Sequence, residues 1–502
     1  MVRCMTELTD RPPSPGVRRS VFLVTALGAF MASLDLSIVN VAFPALERAF
    51  SHDTRAALSW VLTGYAIVFG SLLVVSGRTS DRLGARRIFF WGLFVFSLGS
   101  LLCAMAPSVS LLIGGRVVQG VGAALVLPAS LSLLLASVSA ERRSQTVAMW
   151  GGIGALAVAT GPSLGAGLIT AFGWRSAFSV NLPIALIAWL VGRRVLTALP
   201  RTTTAKSSPD FPGVALISLA LATLVLAISE GPSWGWSSAS IIGAFIASAL
   251  LLAVFLWRSS RHPEPVLDLS LFHARSFSVA NAAVLLYSMG FFAMLLGNIL
   301  FLTSVWHYSI LKAGLAVTPG PLVVASVSSA AGRHAARHGF RPILIAGFLV
   351  FTGGILWYVA RVGVTPHYLA VWLPGTVVVG LGIGLTYPVL SAAAVSSLDP
   401  QRFAVGSAVN QTARQVGGAI GVAILVVLLG TPVTPLEALG NFHHLWLFVA
   451  AMTLLAGVLC TQLRRTPRTS APRSDDSTRR VAIEAVLDGE IVAAPLPSRL
   501  EP

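Results

Sequence analysis

The chain has 502 residues, of which 55% are hydrophobic and only 11% charged, with a formal net charge of +16. Soluble proteins average about 25% charged residues, so this composition excludes a water-soluble globular domain and points to membrane spans. The basic excess alone would suit nucleic acid, but its distribution along the chain follows membrane topology, and no nucleic-acid partner is expected.

Residues 1–19 form a polar tail ending in Arg18-Arg19. Apolar runs of about 20 residues then recur, each long enough to cross a bilayer as a helix that satisfies its own backbone hydrogen bonds; barrel strands would be far shorter. Predicted spans cover 20–43, 57–77, 88–106, 109–135, 145–171 and 177–196, then 212–230 and 239–257, then 276–306, 314–332, 342–361, 368–396, 405–430 and 444–463. The reading is an all-α polytopic membrane protein of 14 transmembrane helices arranged 6+2+6. One six-helix bundle occupies 20–196, two inserted helices 212–257 and a second bundle 276–463, with a polar tail over 464–502 that holds one short amphipathic stretch near Val481 to Val492. The first apolar run exceeds signal-peptide length and lacks a small-residue cleavage site, so it is read as a retained span. Cys4, Cys103 and Cys460 give no disulfide framework.

Of the 35 Lys and Arg residues, 28 lie in the two tails and in the connections after even-numbered spans. Arg48, Arg55, Arg175, Lys312 and Arg361 lie on the other side, and Arg116 and Arg414 lie inside spans. The positive-inside rule places both termini in the cytoplasm, with the chain in the cytoplasmic membrane.

Asp35, in Leu34 to Pro44, is an acid inside an apolar run. Such a residue costs about 2.5–3.5 kcal/mol on insertion scales and marks an ion or substrate path or a hydrogen-bonded kink. Arg116 is the other buried charge of the first half, read either as part of the same path or as a structural Arg bonding to carbonyls of neighbouring helices. By rise per residue Asp35 lies about 22 Å from the cytoplasmic end of its span and Arg116 about 10 Å below the outer edge of its own. In a core about 30 Å thick these depths nearly coincide.

Gly77 to Arg86 aligns without a gap with Gly332 to Arg341, matching at Gly77, Arg78, Arg82, Gly84 and Arg86. The copies lie eight spans apart, which implies two repeated bundles with a site at their interface. Gly77 and Gly84 are read as making a tight turn, and Asp81 as an acid able to meet a helix N-terminus or an Arg of the other half. An ordinary cytoplasmic turn is the alternative.

This loop pattern resembles that of the major facilitator superfamily. Further stretches resemble its fourteen-span drug:proton antiporter branch, the EmrB/QacA type: Leu34 to Pro44, Arg116 to Ala123, Gly161 to Gly167, Trp174-Arg175 with Phe178, Asn181 and Pro183, Gly380 to Pro388, and Asn410 to Gly421. Ser37 stands where Thr is usual, Ser80 where Ala is usual, Ala166 for a second glycine, and Ala336 opposite Asp81. The resemblance implies that spans one and four face each other, that Asp35 and Arg116 couple protons, and that Gly77, Asp81, Arg82, Gly84 and Arg86 form a conformational latch. It also implies that Gly161, Pro162 and Gly165 form a gate; by periodicity alone these three could equally be packing.

Asn40, Trp60, Tyr65, Gln119, Asn298, Tyr387, Gln411 and Arg414 are candidate cavity residues, with core filling as the competing reading for each. Arg414 shares a helix face with Asn410, Gln411 and Gln415. No phosphate-binding Gly-Lys motif, catalytic cluster or metal-ligand spacing is present in the sequence, so no cofactor or metal is expected and the energy source would be a proton gradient. The expected function is proton-coupled multidrug efflux of amphipathic, often cationic or aromatic, small molecules by a monomer through alternating access. A dedicated exporter of one metabolite or antibiotic uses the same machinery. A membrane-embedded lipid-modifying enzyme is disfavoured by the missing catalytic cluster.

Overall fold

The computed structural model describes residues 15–138, 140–196, 210–396, 398 and 402–463, and among them the regular structure is helical, without strands. Cys4, most of the N-terminal tail and the Val481 to Val492 stretch lie outside the described residues. The long helices are α1 (Pro15–Ala49), α2 (Arg55–Leu83), α3 (Ala85–Met105), α4 (Val109–Ala136), α5 (Ala140–Phe172), α6 (Asn181–Val195), α7 (Phe211–Trp234) and α8 (Ala239–Arg261). They continue with α9 (Arg275–Ser304), α10 (Pro319–His338), α11 (Phe340–Arg361), α12 (Leu373–Val395), α13 (Phe403–Leu429) and α14 (Pro435–Cys460). Among the described residues 13 spans are long and apolar enough to cross a membrane, and α5 adds the apolar stretch Leu156–Phe172.

Helices outrun the apolar windows that reveal them in sequence. α1 begins at Pro15, inside the expected tail, and α2 continues to Leu83. The charged residues Arg78, Asp81 and Arg82 therefore ride on a helix. This corrects the reading of Gly77 as a turn residue: it lies within α2, and a Cβ there would make only ordinary contact with Pro128 at 3.9 Å. The turn is made by Gly84 alone, at φ +91°, whose amide bonds to the Ser80 carbonyl at 3.0 Å. Gly339 repeats this between α10 and α11, at φ +87° with its amide on the Ala335 carbonyl at 2.8 Å. A positive φ without a Cβ penalty is what both positions require, so the sequence repeat is a repeated backbone turn.

Two expected spans start with a separate piece. The tenth opens with a short helix, Ile310–Val317, that ends at Thr318 because Pro319 cannot continue its hydrogen bonding. The twelfth opens with a π turn, Tyr368–Trp372.

At the end of the molecule where α1 finishes, Thr54, Ser108, Ser238 and Thr434 cap α2, α4, α8 and α14 through side-chain oxygens. Each such cap is worth about 1 kcal/mol. α1 packs on α5, α6 and α4, while α4 also packs on α2 and α3. α9 packs on α13 and α14, and α12 on α10 and α11. α2 meets α13 along a seam where Thr412 Oγ1 donates to the Gly70 carbonyl at 2.7 Å. α7 packs on α8 and rests on both α2 and α13.

Asp210 caps α7 by accepting from the Gly213 amide at 3.0 Å and also accepts from Arg258 Nε of α8 at 2.8 Å. Burial raises its carboxyl pKa, but the hydrogen bonds from Arg258 and Gly213 and the positive charge nearby outweigh it, leaving the group below the usual carboxylate range. A depressed folded-state pKa gives stability that is complete above the unfolded value of about 3.9 and is lost as pH falls through the folded value. Arg258→Ala should therefore lower the melting temperature at neutral pH and flatten its decline below about pH 4, as thermal unfolding in detergent will show.

Candidate functional site: a buried charge network

Asp35 and Arg116 are both fully buried, and Arg116 Nη1 donates to Asp35 Oδ2 at 2.6 Å. α1 brings the acid and α4 the base. Gln119, one turn along α4 from Arg116, donates to Asp35 Oδ1 at 2.8 Å and to Ser100 Oγ of α3 at 2.8 Å, and it accepts from Arg116 Nη1 at 2.6 Å. Asn181, the first residue of α6, donates to Asp35 Oδ1 at 3.0 Å. Arg116 Nε donates to the Val61 carbonyl of α2 at 2.8 Å, and its guanidinium carbon lies 4.1 Å from the Tyr65 ring centroid. Five long helices thus converge on one carboxylate.

The donors decide the chemistry. An ionised carboxylate only accepts, and Asp35 accepts three hydrogen bonds, one of them charge-assisted. A proton arriving on either oxygen turns an acceptor into a donor and must displace a neighbour. One acceptor is free to receive it, since Asn181 Oδ1 is buried without a hydrogen-bond partner. Rotation of the Asn181 amide would exchange its donor for that acceptor, and Arg116 Nη2, also buried and unpartnered, would stay in place.

The proposed gate residues line the contact between α1 and α5. A Cβ at Gly161 would run into Ser37, and one at Gly165 would come within 2.9 Å of Ile38, so the helices approach backbone to side chain. Pro162 cannot donate to the Val158 carbonyl one turn back. Ser37 Oγ fills that vacancy, donating to Val158 O at 3.2 Å. A hydroxyl at this position is what the proline demands, and Thr would serve as well. Ser37→Ala should cost about 1 kcal/mol by stranding the carbonyl, whereas Ser37→Thr should not; melting temperatures in detergent will separate them.

α5 also reaches across to the second half of the chain. A Cβ on Gly314, in the short helix before α10, would meet Ala166 and would approach the Pro162 carbonyl to 2.6 Å. At the same end Arg55 Nη1 donates to the Gly430 carbonyl at 3.1 Å while Arg55 Nε pairs with Glu47 at 2.7 Å. At the opposite end, Asp81 is exposed and forms no ion pair among the described residues. Arg82 is exposed, and Gly84 and Arg86 are partly buried at the turn.

The predicted cavity residues divide. Tyr65 and Gln119 belong to the charge network. Asn40 donates back to the Leu36 carbonyl at 2.6 Å. Trp60 packs against the apolar cluster of α2, α7, α8 and α13. Asn298 accepts from Trp446 Nε1 at 3.2 Å inside the second half. Gln411 is partly buried on α13. Tyr387 and Arg414 lie together, with the guanidinium carbon 3.9 Å from the ring centroid. Sequence reasoning passed over Ser100 and named Asn181 only as part of the family pattern, without a role, because a single neutral polar residue in an apolar run raises no alarm.

Residues 25–229 and 211–422 match the Major Facilitator Superfamily. The chain belongs to that superfamily. It is 34% identical to a multidrug resistance protein B homolog of Mycobacterium tuberculosis (strain ATCC 25618 / H37Rv), over 81% of this chain and 75% of that one. It is 32% identical to a methylenomycin A resistance protein of Streptomyces coelicolor, over 81% and 85% of the two chains. A tetracenomycin C resistance and export protein of Streptomyces glaucescens is 29% identical over 85% and 80%. Among solved structures, an auto-inhibited POT family peptide transporter shares the fold at a TM-score of 0.65 and 16% identity, covering 91% of this chain and 99% of that one. This Major Facilitator Superfamily chain is thus a multi-pass membrane transporter of small molecules and not an enzyme.

Proposed function

We propose that the protein is a proton-coupled multidrug efflux antiporter of the fourteen-span EmrB/QacA type, a monomer driven by the proton gradient alone. The buried Asp35–Arg116 pair carries this reading, because it supplies one titratable group held by five helices in a chain related to drug-resistance proteins. Helices α1 to α6 form one bundle (residues 20–196), α9 to α14 the other (276–463), and α7 and α8 (212–257) are inserted between them. The helix contacts and the matching turns at Gly84 and Gly339 support this division.

The Lys and Arg distribution puts both termini in the cytoplasm of a cell whose cytoplasmic membrane holds the protein. In that orientation the end closed by Pro162, Gly314, Arg55 and Gly430 faces outward, and Asp81 is released at the inner face. The conformer is then inward-facing. Substrate enters from the cytoplasm or inner leaflet, the bundles rock, and a proton taken up by Asp35 from outside drives release and return.

The test is efflux of a compound panel from cells overexpressing the chain, with and without a protonophore. Gradient-dependent efflux of several unrelated compounds is expected; protonophore-insensitive efflux of every compound would overturn antiport. A dedicated exporter of one antibiotic is the second reading, favoured by relatives named for methylenomycin A and tetracenomycin C. Efflux confined to one scaffold would select it.

A further inference from the structure

The second half of the chain contains a buried cation with no counter-charge among the described residues. Arg414 of α13 is 2% exposed; its Nη2 donates to Ser391 Oγ of α12 at 2.6 Å, and its Nη1 has no hydrogen-bond partner. No ion pair among the described residues includes it. Nor is an acid within reach in sequence terms, because residues 275–463 contain only Asp399 and Glu437. Asp399 lies outside the described residues, and Glu437 is engaged at the first turn of α14, accepting from the Val433 amide at 2.9 Å. Arg116 in the first half has Asp35; among the described residues Arg414 has nothing equivalent.

Buried charges are kept only where an opposite charge or a polar ligand meets them. The surroundings say what kind of ligand. Arg414 lies over the Tyr387 ring, and Tyr287 of α9 meets the same ring at a centroid distance of 6.2 Å. Tyr287 is fully buried and its Oη makes no hydrogen bond of good geometry; the neighbouring Thr386 hydroxyl, which donates to the Gly382 carbonyl at 2.9 Å, could only accept from it. Phe291 stacks on Tyr287 at 5.5 Å and lies 5.8 Å from Tyr387. Two unanswered donors, one of them a permanent cation, are thus set among aromatic faces. Two residues before Arg414, Thr412 bonds to α2 across the seam between the halves.

We propose that Arg414 and Tyr287 form an acid-binding subsite and that the transported compounds include amphipathic aromatic carboxylates, the carboxylate on Arg414 Nη1 and Tyr287 Oη and the ring against Tyr387 and Phe291. The inference rests on the transporter reading above and specifies its substrate class. The first half cannot play this part, because its cation is already neutralised by Asp35.

Purified full-length protein in lipid nanodiscs, without a proton gradient, will be titrated with 2-naphthoate and with methyl 2-naphthoate. The acid should bind roughly tenfold or more tightly than the ester, the value of one charge-assisted contact. Arg414→Gln should bring the acid-to-ester ratio close to one, Arg414→Lys should retain part of the preference, and Tyr287→Phe should reduce it severalfold. Equal affinities in the wild type, including failure of both to bind, would overturn the subsite. So would an Arg414→Gln protein that loses both ligands in proportion, which is the signature of packing. Because no gradient is present, failure here leaves proton-coupled efflux standing, and protonophore-insensitive efflux in cells would leave the acid preference standing.

Discussion

Replacing Asp35 with asparagine is expected to abolish proton-driven efflux in inverted vesicles and to lower stability by about 3–5 kcal/mol, the usual cost of leaving one member of a buried pair uncompensated. Asparagine is nearly isosteric but must point an amide at donors. Gln119 Nε2 and Asn181 Nδ2 both address Asp35 Oδ1, and neither can accept from a new Nδ2 without turning over. Turning Gln119 over would break its contact with Arg116 Nη1. Loss of transport could therefore reflect a weakened fold, and a second variant separates the two causes. Asp35→Asn/Arg116→Gln removes both charges, so melting should recover most of the way toward wild type while proton-driven efflux stays absent. Efflux that survives in Asp35→Asn, with its proton dependence intact, would remove Asp35 from the coupling step.

Gly314→Val should push the protein out of the conformer described here. The side chain would meet the Pro162 carbonyl and Ala166 on α5, and backbone cannot yield as a flexible side chain can. Overpacking of this kind costs about 1–3 kcal/mol, which shifts a two-state equilibrium by roughly 5- to 150-fold. The penalty applies only where α5 and the Ile310–Val317 helix touch. Spin labels at Phe172→Cys and Leu436→Cys, both at the closed end and exposed at 76% and 73%, should report a longer distance in a Cys4→Ser background. Gly353→Val, where a Cβ meets nothing within 4 Å, should leave that distance unchanged. An unchanged distance in Gly314→Val would mean that this contact does not hold the end shut.

Sequence reading went furthest where polarity contrast was greatest. Asp35 and Arg116 stand out because almost everything around them is apolar, and helix rise alone was enough to place them at one depth. Gly84 and Gly339 were legible because a repeated turn leaves a repeated glycine. The contrast fails for neutral polar residues: Ser100 and Asn181 complete the network, yet a hydroxyl or amide costs little in a helix, so Ser100 leaves no pattern and Asn181 stands out only as part of the family resemblance, without a role. It fails again at helix ends, where the hydrophobic window closes before the helix does and Gly77 is mistaken for part of a loop. For Trp60 and Asn298 the sequence left cavity lining and core filling open for a third reason. Lipid and helix core are equally apolar, so the direction a membrane helix faces has little imprint on its sequence, and only packing puts Trp60 against the cluster shared by α2, α7, α8 and α13.

α7 touches α2 and α13 together, while most of the α8 surface is turned away from the protein, with 17% of its span buried. The pair therefore lies across the seam like a splint whose outer side is bathed in lipid. Any tilt of α2 against α13 shears this splint and displaces the acyl chains around it. If the proposed rocking tilts α2 against α13, part of the work of each cycle would be done on the bilayer, and turnover should respond to membrane thickness and lateral pressure.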